Sequence, residues 1–381
     1  MQTYDLVIIG SGIYGLYISN LKVFKDKKVL ILECDKSSFS RASYINQARV
    51  HNGYHYPRSL STAKDTYNYF EKFNEEFRYA INDKFTSIYA IAKNDSLTSD
   101  KEFELFCEKA NIPIEKIDEN EYFKSNKISS AYLTKEYVFD ANLIRQKLLE
   151  KANTNDVTIL YSTYIKAVFK NNGKYILELN TKKIIETPLV INTTYSSINI
   201  VNKLFGVELL DLKYELCEVE LGIPNKELSN VAFTIMDGDF FSTMPFGKGN
   251  YHTLTSVHFT PHLTSYEKIP KFPCQEKHIK CGQKMLFNCN NCRYRPNSKE
   301  KEMYALFNEY LLDKYKFEYK ESLFAIKPIL LKSENDDSRP TIIKKHSNSP
   351  TFISCLSGKV STIYLMEEFV NNILKEKKNE N

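Results

Sequence analysis

The chain has 381 residues, a length that accommodates about two domains. Hydrophobic residues make up 42% of it, enough for a buried core. The 52 Lys and Arg residues exceed the 47 Asp and Glu residues by five, too small an excess to indicate a nucleic-acid partner. The sequence has no uncharged apolar run long enough to predict a transmembrane segment. A signal peptide requires a basic segment before its apolar stretch, and we find none before the first apolar stretch here. We therefore expect a cytoplasmic protein.

The chain opens with the pattern of a strand, a tight turn, a helix and a second strand. The two strands are predicted from nearly continuous apolar runs at 4–9 and 28–32, typical of parallel strands buried on both faces. Between them, Gly10, Gly12 and Gly15 have the G-x-G-x-x-G spacing of a dinucleotide-binding turn. The first glycine permits the turn, the second allows a pyrophosphate to approach the backbone, and the third allows close helix packing.

An acidic residue completes this dinucleotide-binding pattern. Glu33 ends the second strand, eighteen residues after Gly15, where a carboxylate is expected to bind ribose hydroxyls. The same carboxylate would repel a 2′-phosphate, which disfavours NADP. The pattern predicts a dinucleotide cofactor but does not decide between FAD and NAD.

The patterns beyond the second strand predict a mixture of helices and strands. An Asn171-Asn172-Gly173 turn is expected to pair strands at 157–161 and 165–169 with one at 175–179. The remaining predicted elements are helices at 60–77, 100–110, 141–152, 300–315 and 361–374, strands at 86–92, 189–194 and 322–331, and a strand-rich region at 214–258.

Four stretches of the sequence resemble the D-amino-acid-oxidase-like family of FAD-dependent oxidoreductases, which includes glycine oxidase, sarcosine oxidase and 2-hydroxyglutarate oxidase. The first is the glycine turn with Glu33. The second is the segment 40–57, which is rich in Ser and Asn at its start and contains a His-x-Gly-x-x-Tyr stretch beginning at His51.

The third and fourth stretches lie farther along the chain. The third spans 141–194 and ends in the run Val190-Ile191-Asn192-Thr193-Thr194. The fourth joins Arg339-Pro340 to 357–362, similar to the family's second flavin-contacting loop. The chain departs from the family at Thr194-Tyr195, where a glycine is usual, and at Lys359-Val360, where the loop is usually rich in glycine.

The resemblance implies an α/β fold with a Rossmann-like FAD-binding domain, discontinuous in sequence, and an antiparallel-sheet substrate lobe of α+β type. The implied FAD-binding domain comprises 1–80, 141–206 and 322–381. The implied substrate or cap domain comprises 81–140 and 207–321, with a Cys-rich insertion at 270–298. The residues implied to contact FAD are Gly10, Gly12, Ile13, Tyr14, Gly15, Glu33, Cys34, Arg41, Ala42, Ser43, Asn46, His51, Gly53, Val168, Thr193, Thr194, Gly358, Lys359, Val360, Ser361 and Thr362.

The family's chemistry is hydride transfer from a CH–NH or CH–OH bond to flavin, followed by reoxidation by O2 or another electron acceptor. The resemblance therefore implies a small polar substrate, such as an amino acid, a hydroxy acid or a sugar-linked molecule. Two alternatives remain open at this point. One is a non-catalytic protein with the flavin fold, and the other is an NAD-dependent dehydrogenase.

Three residues are candidates for catalysis. An alcohol donor needs a base that is active near neutrality, and His51 matches the family's His-x-Gly position; the alternative is a structural histidine. Arg339 resembles the family's carboxylate-binding arginine; the alternative is a salt bridge with Asp336 or Asp337. Tyr54 is a candidate for the aromatic wall of the substrate pocket.

Four of the eight cysteines fall within nineteen positions, and only the last two have the C-x-x-C spacing of a zinc knuckle. They are Cys274, Cys281, Cys289 and Cys292. Four thiolates in one irregular insertion predict a tetrahedral zinc site, with His278 as a substitute ligand. An iron–sulfur cluster and four reduced cysteines are the two alternatives.

Overall fold

The computed structural model describes residues 1–238, 240–333 and 338–379. The α-helices are α1 (Ile13–Ser19), α2 (Leu60–Glu76), α3 (Asp100–Ala110), α4 (Ala141–Thr154), α5 (Ile198–Leu204), α6 (Pro273–Glu276), α7 (Glu300–Tyr310) and α8 (Ile363–Asn379). The strands are β1 (Gln2–Thr3), β2 (Leu6–Ile9), β3 (Val29–Leu32), β4 (Arg49–Val50), β5 (Ile81–Asn82), β6 (Thr86–Ala92), β7 (Ile114–Ile117), β8 (Ile128–Thr134), β9 (Tyr137–Phe139), β10 (Thr158–Leu160), β11 (Ile165–Asn171), β12 (Lys174–Leu179), β13 (Ile184–Thr187), β14 (Leu189–Asn192), β15 (Leu212–Pro224), β16 (Val231–Met236), β17 (Phe241–Pro245), β18 (His252–Ser256), β19 (Pro261–Ser265), β20 (Phe317–Leu330), β21 (Ile342–Asn348) and β22 (Thr351–Leu356).

A six-stranded sheet carries the glycine turn at the end of β2. Its strand order is β10-β3-β2-β14-β22-β21, and the pairs are parallel except for β21 with β22. Alternate residues of β2 face opposite sides of the sheet. Leu6 and Ile8 pack with α1, α4 and α8, whereas Val7 and Ile9 pack against the strands β11, β12 and β13. Both faces are therefore buried, which explains the continuous apolar runs.

A nine-stranded sheet forms the second lobe. Its main order is β19-β15-β18-β17-β16-β6-β8-β7, and β20 pairs with β15 along nearly its whole length. The pairs are antiparallel except for β16 with β6. Helix α7 covers part of this sheet through Met303 and Phe307, both fully buried. The predicted α/β fold with an antiparallel-sheet lobe is confirmed.

Some predicted elements differ from the structure in their pairing or their ends. Strand β10 pairs with β3 in the six-stranded sheet and takes no part in the hairpin of β11 and β12, because helix α4 returns the chain parallel to β3 and extends that sheet. Helix α7 ends at Tyr310, five residues before the predicted end. The predicted domain boundary at 322 falls within β20, and the chain next joins the six-stranded sheet at β21.

Two glycines allow backbone segments to approach closely. A Cβ atom at Gly15 would lie 2.0 Å from the carbonyl oxygen of Gly10, so α1 packs against the strand end as the fingerprint predicts. A Cβ atom at Gly358 would lie 2.0 Å from the carbonyl oxygen of Arg339. The loop after β22 therefore touches the segment that leads into β21.

Replacing Gly358 with alanine should destabilise the protein. The added methyl group has no room against the Arg339 backbone, and overpacking of this kind costs about 1–3 kcal/mol. We expect Gly358→Ala to lower the free energy of unfolding in urea by that amount. Gly249→Ala is the control, because a Cβ there meets nothing closer than 3.9 Å. Equal stability of the two variants would contradict the close approach.

Candidate active site

A cavity of about 850 Å³ extends from the glycine turn to the nine-stranded sheet. Its volume falls in the range of roughly 300–1,000 Å³ that is common for ligand sites. The wall is formed by the ends of β2, β3 and β14, by residues 39–58, by the loop after β22 and by strands of the second lobe. Distant parts of the chain thus share one cavity.

The glycine turn and the segment that follows β3 fit tightly together at one end of this cavity. Gly10 has a φ of 99°, a conformation that favours glycine. A Cβ atom at Gly12 would lie 2.8 Å from the Ser43 hydroxyl oxygen, and that oxygen accepts the Ile13 backbone N–H at 2.9 Å. The bare backbone of the turn is therefore exposed to the cavity, as a bound pyrophosphate would require.

The carboxylate of Glu33 lies beside this turn. Its Oε2 accepts hydrogen bonds from the backbone N–H and the hydroxyl of Ser11, both at 2.8 Å, and its Oε1 accepts from the Asp35 N–H at 2.8 Å. Each carboxylate oxygen can accept further bonds. Glu33 lines the cavity and is fixed in place, with acceptor capacity left for ribose hydroxyls.

Arg41 fixes the same end of the cavity from outside the turn. Its Nε and Nη2 donate to the two Asp35 carboxylate oxygens at 2.8 and 2.9 Å. Nη2 also donates to the Leu286 carbonyl oxygen at 2.9 Å. Arg41 therefore links the β3 end to the Cys-rich segment.

Most of the residues predicted to contact FAD lie in the cavity wall. These are Gly10, Gly12, Ile13, Tyr14, Glu33, Cys34, Arg41, Ala42, Ser43, Asn46, His51, Thr193, Thr194, Gly358, Lys359 and Val360. The predicted contacts that lie outside the wall are Gly15, Gly53, Val168, Ser361 and Thr362.

Three of the residues outside the wall, Gly53, Val168 and Thr362, contact other parts of the protein. Gly53, with a φ of 106°, packs against Ala63 of α2 and does not reach the cavity. Val168 packs in the core between β11 and the six-stranded sheet, whereas residues 163–165, just before it, line the cavity. The Thr362 hydroxyl lies 3.1 Å from the Tyr14 hydroxyl and supports the wall from behind. These positions therefore support the cavity wall from behind, and their predicted contact with FAD stays a prediction.

His51 lies at the other end of the cavity, in contact with two charged residues. Its Nε2 is 3.3 Å from the Lys359 Nζ, and its Nδ1 is 3.5 Å from the Glu136 Oε1. Burial, and then the positive charges of Lys359 and Arg49, hold the pKa of His51 well below its usual value. The imidazole is therefore neutral near pH 7 and has a lone pair that can accept a proton.

Lys359 is a partly buried amine in the loop after β22. Its Nζ lies 4.6 Å from the centre of the Tyr56 ring. Burial, and then the charge of Arg49, lower the pKa of Lys359 to about 7. Two basic groups thus share a poorly solvated region, where an anionic group would be strongly favoured.

Glu136 organises this region, and the sequence analysis did not identify it. Its fully buried side chain accepts hydrogen bonds from Arg49 Nη1 at 3.1 Å, from the Tyr89 hydroxyl at 2.7 Å and from the Asn52 N–H at 3.2 Å. Glu136 sits between β8 and β9, far in sequence from the segment that it holds. No motif marks it, because its role depends on which residues the fold places around it.

Of the other two catalytic candidates, Arg339 lines the cavity and Tyr54 does not. The Arg339 Nη1 donates to the Ser338 carbonyl oxygen at 2.8 Å. The alternative partners Asp336 and Asp337 lie outside the described residues. Tyr54 is fully buried, and its hydroxyl donates to the Pro113 carbonyl oxygen at 2.5 Å.

Tyr54 does not line the cavity. Its hydroxyl is committed to the Pro113 backbone, and its ring packs against Tyr89 at 5.6 Å between centroids. Tyr56, two residues later, supplies a ring of the wall instead. The turn at Gly53, which separates these residues from β4, ends the simple alternation of sides expected for an extended segment.

The described helices include none that is both long enough and apolar enough to cross a membrane.

Comparisons with solved structures show the same fold. Glycine oxidase from Geobacillus kaustophilus matches with a TM-score of 0.73 and 13% identity, covering 99% of this chain and 95% of the other. FAD-bound L-alpha-glycerophosphate oxidase from Mycoplasma pneumoniae has a TM-score of 0.69 and 16% identity, with coverages of 95% and 92%. NikD, described as an unusual amino acid oxidase, has a TM-score of 0.70 and 11% identity, with coverages of 96% and 92%.

Sequence comparisons agree with the structural ones. The FAD-dependent monooxygenase FPY4 of Fusarium mangiferae is 32% identical over 97 residues, which span 26% of this chain and 26% of that protein. The profile of the FAD dependent oxidoreductase family, DAO, matches residues 5–255. Among the three functions left open by the sequence, this match selects a flavoenzyme. The chain belongs to the DAO family of FAD-dependent oxidoreductases.

Proposed function

We propose that this flavoenzyme oxidises a CH–OH or CH–NH bond of a small polar substrate that carries an anionic group. The candidate classes are amino acids, hydroxy acids and sugar-linked molecules. When bound, FAD supplies the isoalloxazine that accepts the hydride and passes electrons to O2 or another acceptor. The observation that carries the proposal is that neutral His51 and basic Lys359 meet in the wall of the cavity that also contains the glycine turn.

His51 is the proposed base, and Glu136 defines which of its nitrogens acts. The Glu136 Oε1 lies 3.5 Å from the His51 Nδ1, too far for a direct hydrogen bond in this geometry. The negative charge of the carboxylate nevertheless favours the proton of the neutral imidazole on Nδ1, the nitrogen that faces it. The lone pair then lies on Nε2, which lines the cavity with Lys359. Nε2 is the atom that would take the proton from a substrate hydroxyl or ammonium group.

Lys359 and Arg339 are the proposed binding groups for the substrate anion. They belong to two loops whose backbones touch at Gly358, and both side chains line the cavity. Arg49 is already paired with Glu136, which balances most of its charge, so Arg49 is not a proposed binding group. A substrate carboxylate or phosphate would complete the charge balance beside Lys359.

A panel of substrates under anaerobic conditions tests the proposed function. The panel contains amino acids, N-methyl amines, 2-hydroxy acids and sugar nucleotides, and the measurement is bleaching of the visible flavin band. We expect at least one anionic member to reduce the flavin and its uncharged analogue to be much slower. Failure of the purified protein to take up FAD, or equal rates with charged and uncharged analogues, would contradict the proposal.

Replacing His51 should slow flavin reduction far more than it weakens substrate binding. General base catalysis contributes roughly 10²–10⁴-fold, so His51→Asn should lower the limiting reduction rate by about that factor. The measurement is stopped-flow absorbance under anaerobic conditions. His252→Gln is the control, because His252 is equally buried but lies outside the cavity wall. A His51→Asn rate within about threefold of the wild-type rate would exclude the base assignment, since it falls far short of that contribution.

Anion binding should weaken as the pH rises through the pKa of Lys359. The amine must be protonated to pair with an anion, and its pKa in the free protein is about 7. Above that value, a proton must be taken up on binding, so the dissociation constant of a carboxylate probe should rise by up to about tenfold per pH unit.

Acetate is a suitable probe, and its binding can be followed by the perturbation of the flavin spectrum. Lys359→Met should bind acetate weakly at every pH, whereas Lys359→Arg should remain charged and extend tight binding to higher pH. The titration of His51 should not change the dissociation constant of acetate between pH 6.5 and 7.5, because the pKa of His51 lies well below its usual value. A pH-independent dissociation constant in the wild-type protein would argue against Lys359 as the anion site.

A further inference from the structure

The Cys-rich segment, defined here as residues 270–298, has little internal structure. Within it, α6 has four residues and the chain otherwise forms turns, one short 3-10 helix and an isolated bridge between Gly282 and Met285. Two apolar side chains, Phe272 and Leu286, are fully buried, and they pack on strands of the second lobe. A segment of this kind lacks a core that could hold its shape.

The four cysteines of this segment converge on one small cavity. Its volume is about 10 Å³, roughly the size that holds one water-sized particle. The cavity is lined by Leu216, Phe272, Cys274, Gln275, His278, Cys281, Phe287, Cys289, Cys292, Arg295 and Ile326. Thiols are weak hydrogen-bonding groups, so this lining suits a soft cation better than a water molecule.

All eight cysteines of the chain are free thiols, so no disulfide accounts for this convergence.

Backbone geometry around the cysteines resembles that of metal-binding turns in two respects. The Phe287 backbone N–H donates to the Cys281 sulfur at 3.3 Å, a bond that stabilises negative charge on that sulfur. The Cys292 N–H donates to the Cys289 carbonyl oxygen at 3.1 Å, which closes the turn between the two cysteines of the C-x-x-C pair.

We propose that Cys274, Cys281, Cys289 and Cys292 bind one structural zinc ion, which fixes the Cys-rich segment against the end of β3. Tetrahedral zinc has Zn–S distances of about 2.3 Å, which requires sulfurs roughly 3.8 Å apart. In the described residues, no three of these sulfurs lie within 4.8 Å of one another. Binding therefore requires the four side chains to turn inward, which the irregular backbone of the segment permits.

Another group of potential ligands does lie within 4.8 Å, namely Glu33, Cys34 and Asp35. Their environment disfavours a cation, because the Arg41 guanidinium donates to both Asp35 oxygens and contacts the Cys34 sulfur at 3.3 Å. Glu33 is held by Ser11. The four-cysteine cavity also has a cationic neighbour, Arg295, but its Nη1 donates to the Asn290 carbonyl oxygen at 2.7 Å. The cavity therefore offers the ligand type that zinc prefers.

The zinc site would act on the cofactor end of the large cavity through direct contacts. The Asn288 Nδ2 donates to the Ser40 carbonyl oxygen at 3.0 Å and to Asp35 Oδ2 at 3.2 Å. Lys284 and Met285, which lie between the second and third cysteines, line the large cavity. A metal that fixes this segment would therefore also fix one wall of the proposed FAD site.

Elemental analysis of protein purified without a metal-affinity step tests the zinc site independently of any flavin chemistry. We expect about one zinc ion per chain, since structural zinc normally binds stoichiometrically. Cys289→Ser and Cys292→Ser should each lose most of this zinc. Cys107→Ala, which alters a buried cysteine in the core of the second lobe, should retain it, and so should His278→Ala if the four cysteines are the complete ligand set.

Limited proteolysis gives a second readout. Lys277, Lys280 and Lys284 are exposed in the segment, and trypsin should cleave there at least tenfold faster in Cys292→Ser than in Cys107→Ala. Fewer than ~0.2 zinc ions per wild-type chain would overturn the proposal, given the expected stoichiometric binding. Iron with inorganic sulfide in place of zinc would also overturn it, as would zinc that remains in both serine variants.

Discussion

The parallel pairing of β2, β14 and β22 is the constraint on which the rest of this structure depends. In an open parallel sheet, the loops that follow neighbouring strands emerge at the same edge, and ligands bind there. Here that edge brings together the turn at Gly10, the turn at Thr193 and the loop at Gly358. These positions are separated by more than 150 residues of chain, and only the register of three buried strands makes them neighbours.

The end of the cavity that contains His51 depends on a small group of buried charges. Arg49 and Glu136 form an ion pair with almost no solvent exposure, and hydrogen bonds from the Tyr89 hydroxyl and the Asn52 N–H supply further donors to the carboxylate. Burying charges is unfavourable unless they are paired and hydrogen-bonded. The network meets that condition for Glu136. Among the described residues, no carboxylate lies within ion-pair distance of the Lys359 amine, and the pKa of this amine is lowered to about 7. In the proposed function, this amine without a carboxylate partner gives the site its affinity for an anion.

The second lobe contributes both the wall of the substrate region and the Cys-rich segment. Long antiparallel pairing of β15 with β20 makes the lobe rigid along one side of the cavity. The Cys-rich segment then extends from this lobe back to the β3 end, where Arg41 and Asn288 connect the two. Different interactions therefore stabilise the two ends of the large cavity. The end with His51 depends on the charge network, and the end with the glycine turn depends on side-chain contacts to the Cys-rich segment.

The sequence alone determined the features that are local. Continuous apolar runs specify strands buried on both faces, and the glycine spacing with Glu33 specifies the turn and its acidic partner, because each depends on residues close together in the chain. The His-x-Gly-x-x-Tyr stretch contains His51, which lines the cavity, and Gly53 and Tyr54, which do not, since the turn at Gly53 changes which side chains face the cavity. Only the tertiary structure decided that Glu136 supports His51, that β10 joins β3 and that the cysteines converge. Those features depend on contacts between distant segments, and such contacts leave no periodic signal in the sequence.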